Sequence, residues 1–322
     1  MKKRLKTALV LGGGGARGLA HIGVIKVLQK HGIPIDIVTG TSMGGIIGAL
    51  YAYKQDSAWL EKQVRHFLSS EAFEKTGSRY LSKISTSEPE DLLRQLSHEI
   101  KKRLVINLAA HRVSLLKGER LQLTIDTLIP NIEISELQIP FACCAADLYS
   151  GQCVTFSKGH LRKALRASAS IPGFIPPLET NGHLFIDGSV CENFPVQAAL
   201  DMGAEFIIGV NVSQNMERSN DYDNVIDIII RANQISTHKL DLLLMEKMDC
   251  IIRPRTGHIH WSNFEAFDTL ITIGARAAEE SMPEIKRCFT EQHTLRKRWY
   301  RKIIQWMANS ALREKALKRN DL

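Results

Sequence analysis

The run Gly40-Thr41-Ser42-Met43-Gly44 places a serine between glycines two positions before it and two positions after it. An apolar strand-like stretch precedes the run and an apolar helical stretch follows it. A sharp strand-to-helix turn thrusts a side chain off the top of a sheet, and flanking glycines keep Cβ atoms out of the crowded backbone. A serine hydroxyl so placed can act as a nucleophile. The start of the following helix adds free N–H groups and positive dipole beside any negative charge that develops. Without that context, Gly-x-Ser-x-Gly is only a small-residue turn.

A second glycine-rich turn, Gly12-Gly13-Gly14-Gly15-Ala16-Arg17-Gly18, also lies between a strand and a helix. Consecutive glycines leave backbone N–H groups uncovered, and a helix N-terminus behind them favours an anion. Gly13, Gly15 and Gly18 fit the Gly-x-Gly-x-x-Gly of dinucleotide sites, with Asp36 near the spacing of a ribose-binding acid. That acid should end the second strand, whereas Ile37 and Val38 continue the apolar run beyond Asp36. No Gly-Lys-Ser/Thr follows, which excludes a P-loop by pattern. An oxyanion-binding loop one strand away from a nucleophilic serine accounts for both turns together. A third pattern, Asp187-Gly188-Ser189, follows the apolar stretch His183 to Ile186. Taken alone it is an ordinary Asp-Gly turn.

These residues need a framework of alternating strands and helices, and the hydrophobic periodicity supplies one. Strands are predicted at Thr7 to Leu11, Ile33 to Thr39, Phe141 to Ala145, His183 to Ile186 and Phe206 to Val212. Helices are predicted at Leu19 to Lys30, stopped by His31-Gly32, and at Ile46 to Tyr53. The alternation argues for an α/β fold whose central, largely parallel sheet is covered by helices. Residues 54–120 read as a helical insertion, with amphipathic helices at Trp59 to Leu68 and Leu92 to Leu104 around a polar stretch at 82–90.

Taken together, the ordered motifs resemble the patatin-like phospholipases. The resemblance spans about residues 7–212 and includes the small-residue and proline block Ala167 to Phe174 and Asn193-Phe194-Pro195. It implies a three-layer patatin-like fold and a serine esterase of the phospholipase A or lysophospholipase kind, acting on phospholipid or other lipid esters. Carried over by position, it makes Ser42 the nucleophile and Asp187 its base. It places the oxyanion hole at the amides of Gly13, Gly14 and Gly15, with Arg17, Gly18, Gly40, Gly44 and Gly188 supporting the motifs. Arg17 then ties down loop carbonyls or aims at a lipid phosphate. Ser189 stands where the family usually has glycine or alanine, and its hydroxyl can bond Asp187. A dyad of this kind needs neither metal nor cofactor. A histidine triad would draw on His238, His258, His260 or His293, none of which has a catalytic context; His21 reads as a packing or hydrogen-bonding residue, and His258 to His260 as an exposed loop. The competing functional class is a regulatory protein that keeps the fold and binds an anionic ligand without turnover.

The 322 residues are 44% hydrophobic and 24% charged, which excludes disordered and collagenous classes. The net charge of +8 is concentrated at one end. Residues 286–322 hold eleven Lys and Arg against three acids, so residues 1–285 are neutral and form the expected hydrolase domain. Within the tail, Arg296 to Met307 interleaves basic residues with Trp299, Ile303 and Trp306. Such a segment either packs on the core or lies peripherally on an anionic membrane; nucleic acid is not the expected partner. Met1 to Arg4 lead into too short an apolar run for an export signal. The six cysteines show no metal-binding or disulfide spacing, in keeping with a cytoplasmic protein, possible contact being with the inner face of the membrane.

Overall fold

Both faces of β1 (Thr7–Leu11) are covered, so its residues form one uninterrupted apolar run, as central parallel strands do. The computed structural model describes residues 4–71, 73, 114, 118–213, 216 and 225–291. The further strands are β2 (Ile37–Gly40), β3 (Phe141–Asp147), β4 (Cys153–Phe156), β5 (Leu178–Thr180), β6 (His183–Asp187), β7 (Phe206–Val210) and β8 (Cys250–Ile252). They form one sheet in the order β5-β6-β3-β2-β1-β7-β8, with β4 pairing to β3. The ladders joining β3, β2, β1, β7 and β8 are parallel, and β4, β5 and β6 add antiparallel pairings at one end. The chain leaves β1 for β2 on one side and returns as β7 on the other. The carboxyl end of β1 is therefore a topological switch point, where open α/β sheets bind ligands.

The pleat divides β1 between two cores. Leu9 and Leu11 face α1 (Ala20–Lys30), α2 (Met43–Lys54), α3 (Ser57–Leu68) and helix α8 (267–291), through Ile22, Ile25, Ile47 and Leu270. Ala8 and Val10 face α6 (Val196–Asp201) and the end of α7 (Val225–Met245), through Val196, Ala199 and Met245. The result is three layers, helix on sheet on helix, with α4 (Gly118–Leu128) and α5 (Leu161–Ser168) completing the first helical layer. Truncating a fully buried leucine such as Leu9 to alanine costs about 2–5 kcal/mol. Local chemistry sets the helix ends. Asp56 caps α3 by accepting from the amides of Ala58 and Trp59, and Gly32, at φ 65°, lets the chain turn out of α1.

The strand expected from Ile33 begins only at Ile37, because Pro34 has no amide to give and Asp36 is engaged at the strand's start. The Asp36 carboxylate accepts from the Thr7 amide and from Arg4. It sits at the amino-terminal end of β1 and β2, the end opposite the glycine turn, which removes it from any nucleotide role there. Helix α2 starts at Met43, three residues before the predicted Ile46, since the first turn is small and lacks apolar periodicity. Strand β3 extends to Asp147 because β4 and β6 pair along it. Helix α8 runs through position 285: Ile285 is fully buried and Phe289 meets Phe206 edge-on at 5.1 Å. The expected helix at Leu92 to Leu104, the polar stretch 82–90 and the tail from residue 292 lie outside the described residues. Among those described, no helix is long and apolar enough to cross a membrane.

Candidate active site

Ser42 occupies the junction of β2 and α2 with φ 54° and ψ −124°, a region that non-glycine residues rarely visit. Holding it there costs of order 1–3 kcal/mol, which the surrounding contacts must over-determine. The Thr41 amide donates to the Leu11 carbonyl at 3.1 Å, and the Ser42 amide donates to Ser168 Oγ at 3.0 Å. The glycines permit the backbone contact: a Cβ on Gly40 would lie 2.5 Å from the Gly44 carbonyl oxygen, and one on Gly44 would lie 2.2 Å from that of Leu11. The side chain is not solvent-exposed. Ser42 is 5% accessible and opens into an apolar cavity of about 130 Å³ lined by Met43, Ile46, Phe67, Phe174 and Trp261.

Strand β3 brings Asp187 to this serine from 145 positions away in the chain. Gly40, ending β2, is in register with Cys143, and Asp187, ending β6, is in register with Ala145 two residues further along. Asp187 is 1% accessible. Its amide donates to the Ser170 carbonyl and its Oδ1 accepts from the Ser189 amide, each at 2.9 Å. Burial raises the carboxyl above the ordinary aspartate value, while hydrogen bonds from the side chains of Ser42 and Ser189 oppose the rise. The block Ala167 to Phe174 serves both residues, since Ser168 receives the Ser42 amide and Ser170 receives that of Asp187. Buried Arg166 holds Ser170 in place through its hydroxyl.

The glycine turn departs from expectation in one respect. The Gly13 amide is already taken, donating to Asn193 Oδ1 at 2.8 Å. The Ala16 amide is taken as well, donating to the Trp261 carbonyl at 2.6 Å. Between them the amides of Gly14 and Gly15 have no acceptor among the described residues. Gly13 is therefore an anchor, and the amides left without an acceptor are those of Gly14 and Gly15, at the start of the 3-10 turn Gly15–Leu19. Arg17 is buried and its Nε donates to the Ile259 carbonyl at 2.8 Å, which ties the turn to the loop before α8. Gly18 allows contact with α2: a Cβ there would fall 2.4 Å from Met43 Cγ.

Asn193 turns out to be a hub. It is 5% accessible, and its Nδ2 donates to Asp241 Oδ2 at 3.0 Å and to Ser213 Oγ at 3.2 Å. Burial pushes the Asp241 carboxyl up to about 6. Asp241 and Trp261 carry no local signal that marks them, since each acts through a partner more than 45 residues away. His21 is fully buried, and its Nε2 bonds the Gly12 carbonyl at 2.8 Å while Nδ1 has no partner. Burial lowers its pKa to about 4, so the ring is neutral and Nε2 carries the proton. No described histidine figures in the hydrogen bonding of Ser42 or Asp187. His238 lies on α7, and His293 lies outside the described residues. The 258–260 segment is a lip of the site rather than an exposed loop: His258 is exposed, but Ile259 is buried and His260 Nδ1 pairs with Ser262 Oγ at 2.8 Å.

A family model described as patatin-like phospholipase matches residues 9–200. Among curated proteins, human patatin-like phospholipase domain-containing protein 6 is 32% identical over 212 residues, covering 65% of this chain and 14% of that protein. Lysophospholipase NTE1 of Candida albicans is 29% identical over 303 residues, covering 86% of this chain and 20% of that protein. The chain thus spans a fifth or less of these relatives' length. Among solved structures, VipD from Legionella pneumophila aligns over 88% of this chain and 67% of its own, at 14% identity and a TM-score of 0.48. Human GIVD cytosolic phospholipase A2 aligns over 90% and 60%, at 13% identity and a TM-score of 0.47.

Proposed function

The chain belongs to the patatin-like phospholipase family, and we propose that it is a serine acyl hydrolase of lipid esters working through Ser42 and Asp187. The carrying observation is the strained Ser42, brought beside the buried Asp187 carboxylate by register on β3 and opening into an apolar cavity. In the reaction Ser42 Oγ attacks the ester carbonyl carbon as its proton passes to Asp187. The carbonyl oxygen becomes an oxyanion held by the Gly14 and Gly15 amides. Collapse expels the alcohol, which takes the proton from Asp187 and leaves an acyl-enzyme. Water, deprotonated by Asp187, then releases the fatty acid. A raised carboxyl pKa makes Asp187 a stronger base than an ordinary aspartate.

The cavity residues suit an acyl chain, and the kinship with a lysophospholipase favours phospholipid or lysophospholipid over small esters. The basic tail would hold the protein peripherally on an anionic membrane surface, from the cytoplasmic side, where its substrate resides. The direct test combines a fluorophosphonate probe with Ser42→Ala. The wild-type protein should be labelled at Ser42 and should hydrolyse p-nitrophenyl butyrate. The variant should take no label and keep less than about a tenth of the activity, since nucleophilic catalysis requires the hydroxyl. Retained turnover in a folded Ser42→Ala protein excludes this mechanism.

A further inference from the structure

Cysteine spacing along the chain matches no metal-binding pattern, yet the fold gathers three of the six cysteines on the β3 side of the Asp187 loop. Cys144 lies on β3, Cys153 on β4, and Cys191 and Glu192 follow Asp187. The sulfurs of Cys144 and Cys153 and a carboxylate oxygen of Glu192 all lie within 4.8 Å of one another. Cys153 Sγ is 3.8 Å from Glu192 Oε2, whereas Cys191 Sγ turns to the Gly188 carbonyl, donating to it at 3.4 Å. None of the three is in a disulfide. Around a tetrahedral zinc ion, with bonds of about 2.3 Å to sulfur and 2.1 Å to oxygen, neighbouring donors stand roughly 3.5–3.8 Å apart. The observed cluster reaches that spacing by small side-chain movements.

We propose that Cys144, Cys153 and Glu192 form a site for a thiophilic divalent cation, with Zn²⁺ the ion of best fit. Two hard facts favour an ion over plain packing. The donors run from buried Cys144 through half-buried Glu192 to exposed Cys153, which gives a dry inner wall and an entry from solvent. The inner sulfur also has a donor within reach: Thr41 Oγ1, at 3.0 Å, can bond a thiolate once the S–H that Cys144 donates to the Glu192 carbonyl oxygen is lost. Binding exchanges two S–H protons for one Zn²⁺, with three new bonds to two sulfurs and one carboxylate oxygen, two protons released and no change of oxidation state. The ion has three protein donors and takes water in its fourth position. It would cross-link β3, β4 and the segment after Asp187, and through Thr41 it would touch the residue before Ser42.

The test uses the full chain, reduced and stripped with a chelator, titrated with Co²⁺ as a spectroscopic stand-in for Zn²⁺. One equivalent should produce a near-ultraviolet thiolate-to-cobalt absorption band, and Zn²⁺ should abolish it by displacement. Cys153→Ser and Glu192→Gln, with folding checked by circular dichroism, should each weaken Co²⁺ binding by about tenfold or more. Cys288→Ser removes a thiol that contacts Cys250 elsewhere in the fold and should leave the titration unchanged. Absence of the band, its persistence at full affinity in Cys153→Ser, or its loss in Cys288→Ser overturns the proposal. So does recovery of a Cys153–Cys191 disulfide from protein kept in air with equimolar Zn²⁺.

Discussion

Replacing Asn193 by alanine separates anchoring of the glycine turn from formation of the substrate cavity. The substitution leaves the buried Gly13 amide without its acceptor and removes the Nδ2–H donated to Asp241. An orphaned buried amide costs about 1–3 kcal/mol, and a hydrogen bond to a charged group is worth about 1.5–3 kcal/mol. At pH 8, where Asp241 is ionised, the combined loss should be about 4 kcal/mol. Below pH 5, where its raised pKa of about 6 leaves it neutral, the loss should fall to about 2 kcal/mol. Catalytically, a loosened Gly13 releases the aim of the next two amides, so kcat should fall by roughly the 10²-fold associated with one oxyanion donor. KM should change less than about twofold, since Met43, Ile46, Phe67 and Phe174 form the cavity without Asn193. The assay is p-nitrophenyl butyrate hydrolysis from pH 5 to 9, with stability followed by urea unfolding. Asn193→Asp supplies the discriminating control, because its carboxylate still accepts from Gly13 but faces Asp241. The two acids must then share a proton, so this variant should work at pH 5–6 and fail at pH 8. The wild-type protein runs the opposite way, gaining activity as Asp187 ionises. A folded Asn193→Ala protein with kcat within about threefold of wild type, or an Asn193→Asp profile matching the wild type, refutes the anchor.

Asp187→Asn should lower kcat by at least about 10²-fold with little loss of stability, because it removes the base and keeps the shape; full activity combined with an indispensable histidine would point to a triad instead. In the wild type, activity should drop as pH falls through a pKa above the ordinary aspartate value of 3.8, the direction set by burial of Asp187. Asp241→Asn tests the linkage sign. The folded state holds the Asp241 proton more tightly than the unfolded chain, so the stability it contributes is present below pH 3.8 and is lost as pH rises to about 6. The variant should therefore melt about 5 °C higher than wild type at pH 8 and match it near pH 4; equal Tm values at both pH values would contradict the burial argument. Deleting residues 295–322 should weaken sedimentation with anionic vesicles, by about 1 kcal/mol per basic residue at the surface, with a smaller loss at high salt. Soluble-ester hydrolysis should survive the deletion, and unchanged vesicle binding would rule out a membrane role for the tail.

Local backbone requirements are what the linear order of residues determined by itself. Ser42 could be singled out because close backbone approach, of Gly40 to Gly44 and of Gly44 to Leu11, demands glycine at 40 and 44. The layered α/β class followed from the apolar runs of β1 and β2 and from the periodicity of α1, each set by burial of its own residues. The antiparallel additions β4 and β5 escaped the pattern because four and three residues are too few to set a period that stands out from the neighbouring turns. Everything that depends on register was decided by the tertiary structure. Asp187 meets Ser42 only because β2 and β6 both align on β3. The engagement of the Gly13 amide depends on Asn193, 180 residues away, and that of Ala16 depends on Trp261. The cysteine cluster is of the same kind, assembled from β3, β4 and the turn after β6 without any spacing in the chain to announce it. A glycine's steric freedom is written into its own position, whereas the partner of a hydrogen bond or the neighbour of a thiol is set by how strands far apart in sequence are laid side by side.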